Sequence, residues 1–523
     1  MKSLINNFRI KHVPLKEQAY YPEISYHRGN MKSPVFGVTM ILDERKHVYP
    51  HYYDKCLEMV HYWRSFIESI KFQDGTSPKA VASSELITSV DSARRVGEEF
   101  LEKKVRAVIL NFHVWNFPYL VWPFINTVGK DKPILCLSNN EGAYPGNVGL
   151  LATSGALRQA GLTVHRIIGD PGDPKVKEKV RKWMMAATAA VNLRNEVYGM
   201  YGGHSMGMET GYFHLVPIQR YFGTTVYQID QLLIVEKMRE IPDEEVEKGV
   251  KWLEENVGRI EYDGKMLTRE TLAKQVRLYL AVKKLNEEYG FDFCGIKGQR
   301  ELSEHVVIPD VAEMLLNDPY DWNGPKEPTV CATEADSLGA LTMQVLKYVS
   351  GGLPVLFMDV RLYHPDLGIW DFCNSGVHAS WYAARSYNPR ENLRKVTLYP
   401  ALELYFKAGG ASVSFDAAPG ELTFARLGLY KDQLYMVIVK GEAVELDEET
   451  RRRINAQTNP TWPHVHARLN CSYEEFIEFF PANHIHAVAG DRVEELLLFC
   501  EISGVKPILL GTGRYRSFQE AFQ

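Results

Sequence analysis

Two carboxylates that close apolar runs are the first candidates for chemistry. Glu334 follows Thr329-Val-Cys-Ala, and Asp359 follows Pro354-Val-Leu-Phe-Met. Between them, Asp336 and Ser337 can cap a helix whose apolar positions are Leu338, Leu341, Val345, Leu346 and Val349. Gly351-Gly352 stops that helix. The stretch therefore reads as strand, helix, strand. Two strands joined by one helix run parallel as a rule, so Glu334 and Asp359 are expected together at the carboxyl edge of one sheet, where open α/β sheets hold their ligands. Paired carboxylates at a largely apolar site need a neutralising partner, and a divalent cation fits that need. The competing reading of each acid is a helix cap or a surface group.

Two further stretches carry chemical groups. In Pro481-Ala-Asn-His-Ile-His-Ala, His484 and His486 face the same side if the segment is extended, and neutral imidazole is a common ligand for transition metals. Histidines hydrogen-bonded within a loop are the plainer alternative. The loop Gly202-Gly-His-Ser-Met-Gly-Met permits close approach to a ligand or a tight turn. It lacks both the lysine of a phosphate loop and the GxGxxG of a dinucleotide site.

The elements that must position these groups alternate. A polar arm runs to about residue 33. Strand-like runs at Pro34-Val-Phe-Gly-Val-Thr-Met-Ile, Ala80-Val-Ala-Ser, Arg106-Ala-Val-Ile-Leu-Asn-Phe and Pro133-Ile-Leu-Cys-Leu-Ser are separated by helical segments. A linker is expected at Asp170-Pro-Gly-Asp-Pro-Lys. A second alternating unit holds Val197-Tyr-Gly-Met-Tyr, Thr224-Val-Tyr-Gln-Ile-Asp and Asp292-Phe-Cys-Gly-Ile-Lys-Gly-Gln. Beyond Asp359 the pattern becomes β-rich, with runs at Ala411-Ser-Val-Ser-Phe, Glu421-Leu-Thr-Phe-Ala-Arg-Leu and Gln433-Leu-Tyr-Met-Val-Ile-Val. The expected division is 1–172, 173–350 and 351–523: two three-layer α/β (Rossmann-like) domains, then a β-rich, barrel-like domain.

Composition bounds the function. A chain of 523 residues exceeds a single core, which agrees with three domains. At 45% hydrophobic and 24% charged it has the balance of a folded soluble enzyme. A net charge of −5 without long runs of one sign points away from nucleic acid and from anionic membrane. Seven cysteines, an odd number with no CxxC pair, suit a reducing compartment. No apolar run approaches the roughly 20 residues of a membrane span, and the amino terminus has no signal-like run, so the cytoplasm is expected.

Taken together, the motifs resemble the L-fucose isomerase family. They are CATEADSLGA from Cys331, MDVR from Met358, NSG from Asn374, TNPTWP from Thr458 and the pair Asn483-His484. GGHSMGM from Gly202 and GIKGQ from Gly295 precede them in the expected order. The resemblance implies a hexamer and a divalent cation, Mn²⁺ or another such as Co²⁺, bound by Glu334, Asp359 and His484. It implies interconversion of an open-chain aldose and its ketose through a cis-enediol, with Glu334 and Asp359 also moving the proton. L-fucose and D-arabinose are the first candidate substrates. Gln299, Ser375 and Asn483 are candidates to bind sugar hydroxyls. Trp115, expected from a neighbouring subunit, and Trp462 are candidates to cover the sugar face, with core packing as the competing role. His464, His466 and His486 depart from the family pattern, and the roles of these three and of His204 stay open. A non-catalytic sugar-binding protein and a metal-assisted epimerase or aldolase are the rival classes.

Overall fold

The computed structural model describes residues 31–141, 144–375 and 378–523. The polar arm before residue 31 and Gly376 of the NSG motif lie outside the described residues.

The first sheet is parallel and contains β1 (Val35–Met40), β2 (Lys79–Ala82), β3 (Val105–Phe112), β4 (Ile134–Ser138) and β5 (Val164–Ile168) in the order β2-β1-β3-β4-β5. Its central strands are continuous apolar runs because helices cover both faces. The edge strand β5, VHRII, escapes a reading by apolar runs because His165 and Arg166 interrupt it. The second sheet holds β6 (Val197–Tyr201), β7 (Thr225–Ile229), β8 (Phe293–Ile296) and β9 (Cys331–Thr333) in the order β9-β8-β6-β7, again parallel.

The third unit is a closed ring. β10 (Leu356–His364), β11 (Ile369–Cys373), β12 (Gly420–Tyr430), β13 (Gln433–Ala443), β14 (His464–Leu469) and β15 (His484–Ala489) pair antiparallel in the order β12-β15-β10-β11-β14-β13. The long hairpin β12–β13 closes it, leaving these six strands without a free edge. β16 (Lys506–Leu509) adds parallel to β13. The expected strand at Ala411 forms, but it pairs with Thr397–Pro400 outside the ring.

The Ser337–Val349 helix joins the second sheet to this barrel. Every one of its residues is buried, because it packs against the Pro174–Leu193 helix and also against β12 and β15. This corrects one expectation. Strand, helix and strand all form between Cys331 and His364, but β10 does not return to the sheet of β9. It emerges beyond the helix and pairs with β11 and β15. Glu334 and Asp359 therefore belong to two different sheets, and Asp359 sits inside β10 rather than at its end.

Candidate active site

Glu334 sits on a turn of uncommon backbone. Glu334 and Ala335 have φ of 57° and 50°, the left-handed region that non-glycine residues rarely enter in succession. The Ala335 N–H donates to the Ile296 carbonyl at 2.9 Å, and the Tyr198 hydroxyl donates to the Ala335 carbonyl at 3.3 Å. Gly295 makes this close packing possible, since a Cβ there would lie 2.3 Å from the Tyr198 hydroxyl. The turn ends at Asp336, which caps the Ser337–Val349 helix by accepting the Gly339 N–H at 2.8 Å.

The barrel supplies the facing groups. Asp359 and His484 are directly opposed across β10 and β15, so their side chains share a face. His484 Nε2 lies 3.3 Å from Asp359 Oδ1 and 3.2 Å from Glu334 Oε2. The structure thus brings Glu334, Asp359 and His484 together where the second sheet meets the barrel. The imidazole is 2% exposed, whereas the two acid side chains keep 17% and 18% of their surface, so the cluster opens on the acid side. Nε2 is buried and has no hydrogen-bond partner; neither nearby oxygen is in hydrogen-bonding alignment.

On its other side, His484 Nδ1 donates to Asp336 Oδ2 at 2.7 Å. Asp336 also accepts from buried Arg426, NH1 to Oδ2 at 2.6 Å and NH2 to Oδ1 at 3.0 Å. Burial opposes ionisation of Asp336, but Arg426 and His484 outweigh it and hold this carboxyl far below the usual range. Burial likewise pushes the His484 imidazole down, yet Asp336, Asp359 and Glu334 leave it well above its ordinary value. This pocket calls for positive charge. His486, two residues along β15, faces Arg426 NH1 at 3.0 Å and accepts from it through Nε2, so its ring is neutral.

Other sequence candidates converge less completely. Ser205, in the GGHSMGM loop, donates to the Gln299 carbonyl at 3.2 Å, and Asn483 Nδ2 approaches Met208 Sδ at 3.7 Å. Both loops and the start of β15 therefore meet. Trp462 lies under the Arg361 guanidinium, 5.2 Å from the ring centre, and Arg361 is 3.6 Å from Asp359. Arg361 escaped the sequence reading as a site residue, although it ends the MDVR motif. Ser375 is half-buried beside the partly described NSG motif. Trp115 lies just beyond the carboxyl end of β3, the central strand of the first sheet, half-buried, with Phe117 as its ring partner. His204 packs on Tyr212, ring centres 3.7 Å apart. Glu313, fully buried with no aligned partner for either carboxyl oxygen, is another group that patterning missed; burial, against a smaller opposing pull from Thr333, holds its carboxyl well above the carboxylate range.

A second cluster lies on the barrel. Asp371, His464 and His466 place ligand atoms within 4.8 Å of one another, dimensions that fit a cation. Three of its four ring nitrogens are nevertheless spoken for. His464 Nδ1 is 2.8 Å from Asp371 Oδ1 and Nε2 is 2.8 Å from the Asn459 carbonyl, while His466 Nε2 is 2.9 Å from Asn455 Oδ1.

Family models match along most of the chain: the first N-terminal domain of L-fucose isomerase over residues 33–195, the second over 265–351, and the C-terminal domain over 372–509. The chain belongs to the L-fucose isomerase family. Its relatives include the L-fucose isomerase of Vibrio vulnificus, 26% identical over 465 residues that cover 76% of this chain and 78% of the relative. The L-fucose isomerase of Streptococcus pneumoniae is 27% identical over 473 residues, with the same coverage of each chain. That of Haemophilus influenzae is 26% identical over 460 residues, covering 75% of this chain and 77% of its own. As a member of this family the chain is a sugar isomerase, an intramolecular oxidoreductase that interconverts aldose and ketose. No described helix is long and apolar enough to cross a membrane.

Proposed function

We propose that this member of the L-fucose isomerase family is a metal-dependent isomerase of an open-chain aldose of the L-fucose or D-arabinose type, working through a cis-enediol. The observation that carries the reading is His484 Nε2, buried, unpartnered and faced by two carboxylate oxygens at 3.2 and 3.3 Å. Two hard oxygen donors and one imidazole suit Mn²⁺ or another divalent ion such as Co²⁺. The distances from the imidazole to each carboxylate, 3.2 and 3.3 Å, are near the roughly 3 Å expected between neighbouring ligands with bonds of about 2.1 Å. Glu334, Asp359 and His484 would hold the ion. When bound, it supplies positive charge to the sugar's first two oxygens as they become enediolate-like.

The protein groups do the rest. Glu334 and Asp359, both open to solvent on one side, take the proton from one carbon and return it to the next. Gln299, Ser375 and Asn483 bind hydroxyls, and Trp462 covers an apolar face of the sugar. Trp115, partly exposed beyond the carboxyl end of β3, serves the site of a neighbouring copy in a homohexamer. Exposed Leu404 and Tyr405, at 83% and 52%, support such an assembly. The division into domains at 172 and 350 and a cytoplasmic location belong to the same reading.

The test strips metal from the protein, restores Mn²⁺ and screens aldoses for ketose. Ketose formed only with metal, and fastest from an L-fucose-type sugar, is expected. Saturable sugar binding with no turnover would overturn the reading.

A further inference from the structure

His484 can present a lone pair from Nε2 only if Nδ1 carries the proton, and only if the ring is held against rotation about its own bonds. Both conditions are met by one carboxylate. Asp336 accepts the Nδ1–H at 2.7 Å, and its remaining acceptor positions are filled by Arg426 NH1, Arg426 NH2 and the Gly339 N–H. Asp336 is 1% exposed and Arg426 is fully buried, so neither has water as an alternative partner. Arg426 is itself fixed, donating from NH2 to the Thr210 carbonyl at 2.9 Å and from NH1 to His486 at 3.0 Å. The packing leaves no slack, because a Cβ at Gly339 would lie 2.7 Å from Arg426 NH1 and also 2.7 Å from Asp336 Oδ2.

These contacts cross the junction between sheets. Asp336 follows the Glu334 turn by two residues and caps the connecting helix, while Arg426 lies on β12 and His484 on β15. We infer that Asp336 is a positioning residue that, clamped by Arg426, fixes the tautomer and orientation of His484 and ties both to the Glu334 turn. The cation pocket is thereby assembled only when the second sheet and the barrel are docked. The inference rests on the proposed metal-binding role of Glu334, Asp359 and His484.

The test uses metal-stripped, full-length protein and measures Mn²⁺ binding by equilibrium dialysis and the visible spectrum after Co²⁺ loading. Asp336→Asn keeps a competent helix cap, so a change in metal binding is not a loss of capping. Asp336→Glu keeps the charge opposite Arg426 and decides the matter if Asp336→Asn does not fold. The expected result is one Mn²⁺ per wild-type chain, with the Kd raised about ten- to a hundredfold in the variants and altered Co²⁺ bands. A lowered melting temperature with Kd within about threefold of wild type and unchanged Co²⁺ bands would assign Asp336 a structural role alone and overturn the inference. Wild-type protein that binds no Mn²⁺ would instead remove the reading beneath it.

Discussion

The barrel carries two clusters of imidazole and carboxylate, and they solve the same electrostatic problem in opposite ways. Around His484, three carboxylates converge on a ring whose Nε2 has no hydrogen-bond partner, and two of those acids reach solvent. Around His464, the acid is inside: Asp371 is 0% exposed, His464 is 1% and His466 is 4%. There the Asn459 carbonyl can only accept, so His464 Nε2 carries a proton; ionised Asp371 can also only accept, so Nδ1 carries one too. The Thr458 hydroxyl donates to the other Asp371 oxygen at 2.8 Å. One cluster is thus a closed ion pair, while the other has charge to spare and an opening through which a ligand can arrive. Ligand spacing alone favours the closed cluster as a metal centre; hydrogen-bond accounting favours the open one.

The largest effect is expected from neutralising the open cluster's acids. Glu334→Gln and Asp359→Asn should each lower kcat by about 10²- to 10⁴-fold while thermal unfolding stays close to wild type. Retained turnover in both variants would end the assignment.

Asp371→Asn should do the reverse. Removing one partner of a buried pair leaves the other charge uncompensated, at a cost of about 3–5 kcal/mol read from urea unfolding. Bound Mn²⁺ should remain. A variant with unchanged stability would mean that the closed cluster is not a structural ion pair.

A smaller effect follows from protonation. Burial pushes His464 down, but Asp371 leaves it raised; burial pushes Asp371 up, but His464 leaves it lowered. For the raised imidazole, the contribution is complete below its unfolded value of about 6.5 and disappears as pH rises through the folded value. For the lowered carboxyl it is present above about 3.9 and disappears as pH falls through the folded value. Above about pH 6.5, urea midpoints of wild type should therefore fall with rising pH more steeply than those of His464→Gln. Parallel slopes would contradict the pairing.

Much of this arrangement is legible in the residues, and the limits are physical. Apolar runs and caps mark the Cys331–His364 stretch, including Asp336 as a helix cap, because those signals are local. Which sheet receives β10 is not local. It depends on a helix buried on every side, and on pairing with β15 more than a hundred residues downstream. The same limit hides the second duty of Asp336: its cap is written within four residues, whereas its bonds to Arg426 and His484 exist only after the barrel closes. Alternation marks His484 and His486 as facing one side of a strand, but only the family resemblance separates His484 from its neighbour as a ligand. His464 and His466 alternate like any inward-facing strand pair, and their sequence does not distinguish a ligand from an ion pair.

Metal content, by elemental analysis on purified chains saturated with Mn²⁺ and then desalted, tells the two clusters apart. One ion per chain is expected in wild type and in His464→Gln, and none in His484→Asn. Metal lost from His464→Gln but kept by His484→Asn would move the centre to the closed cluster and contradict the account.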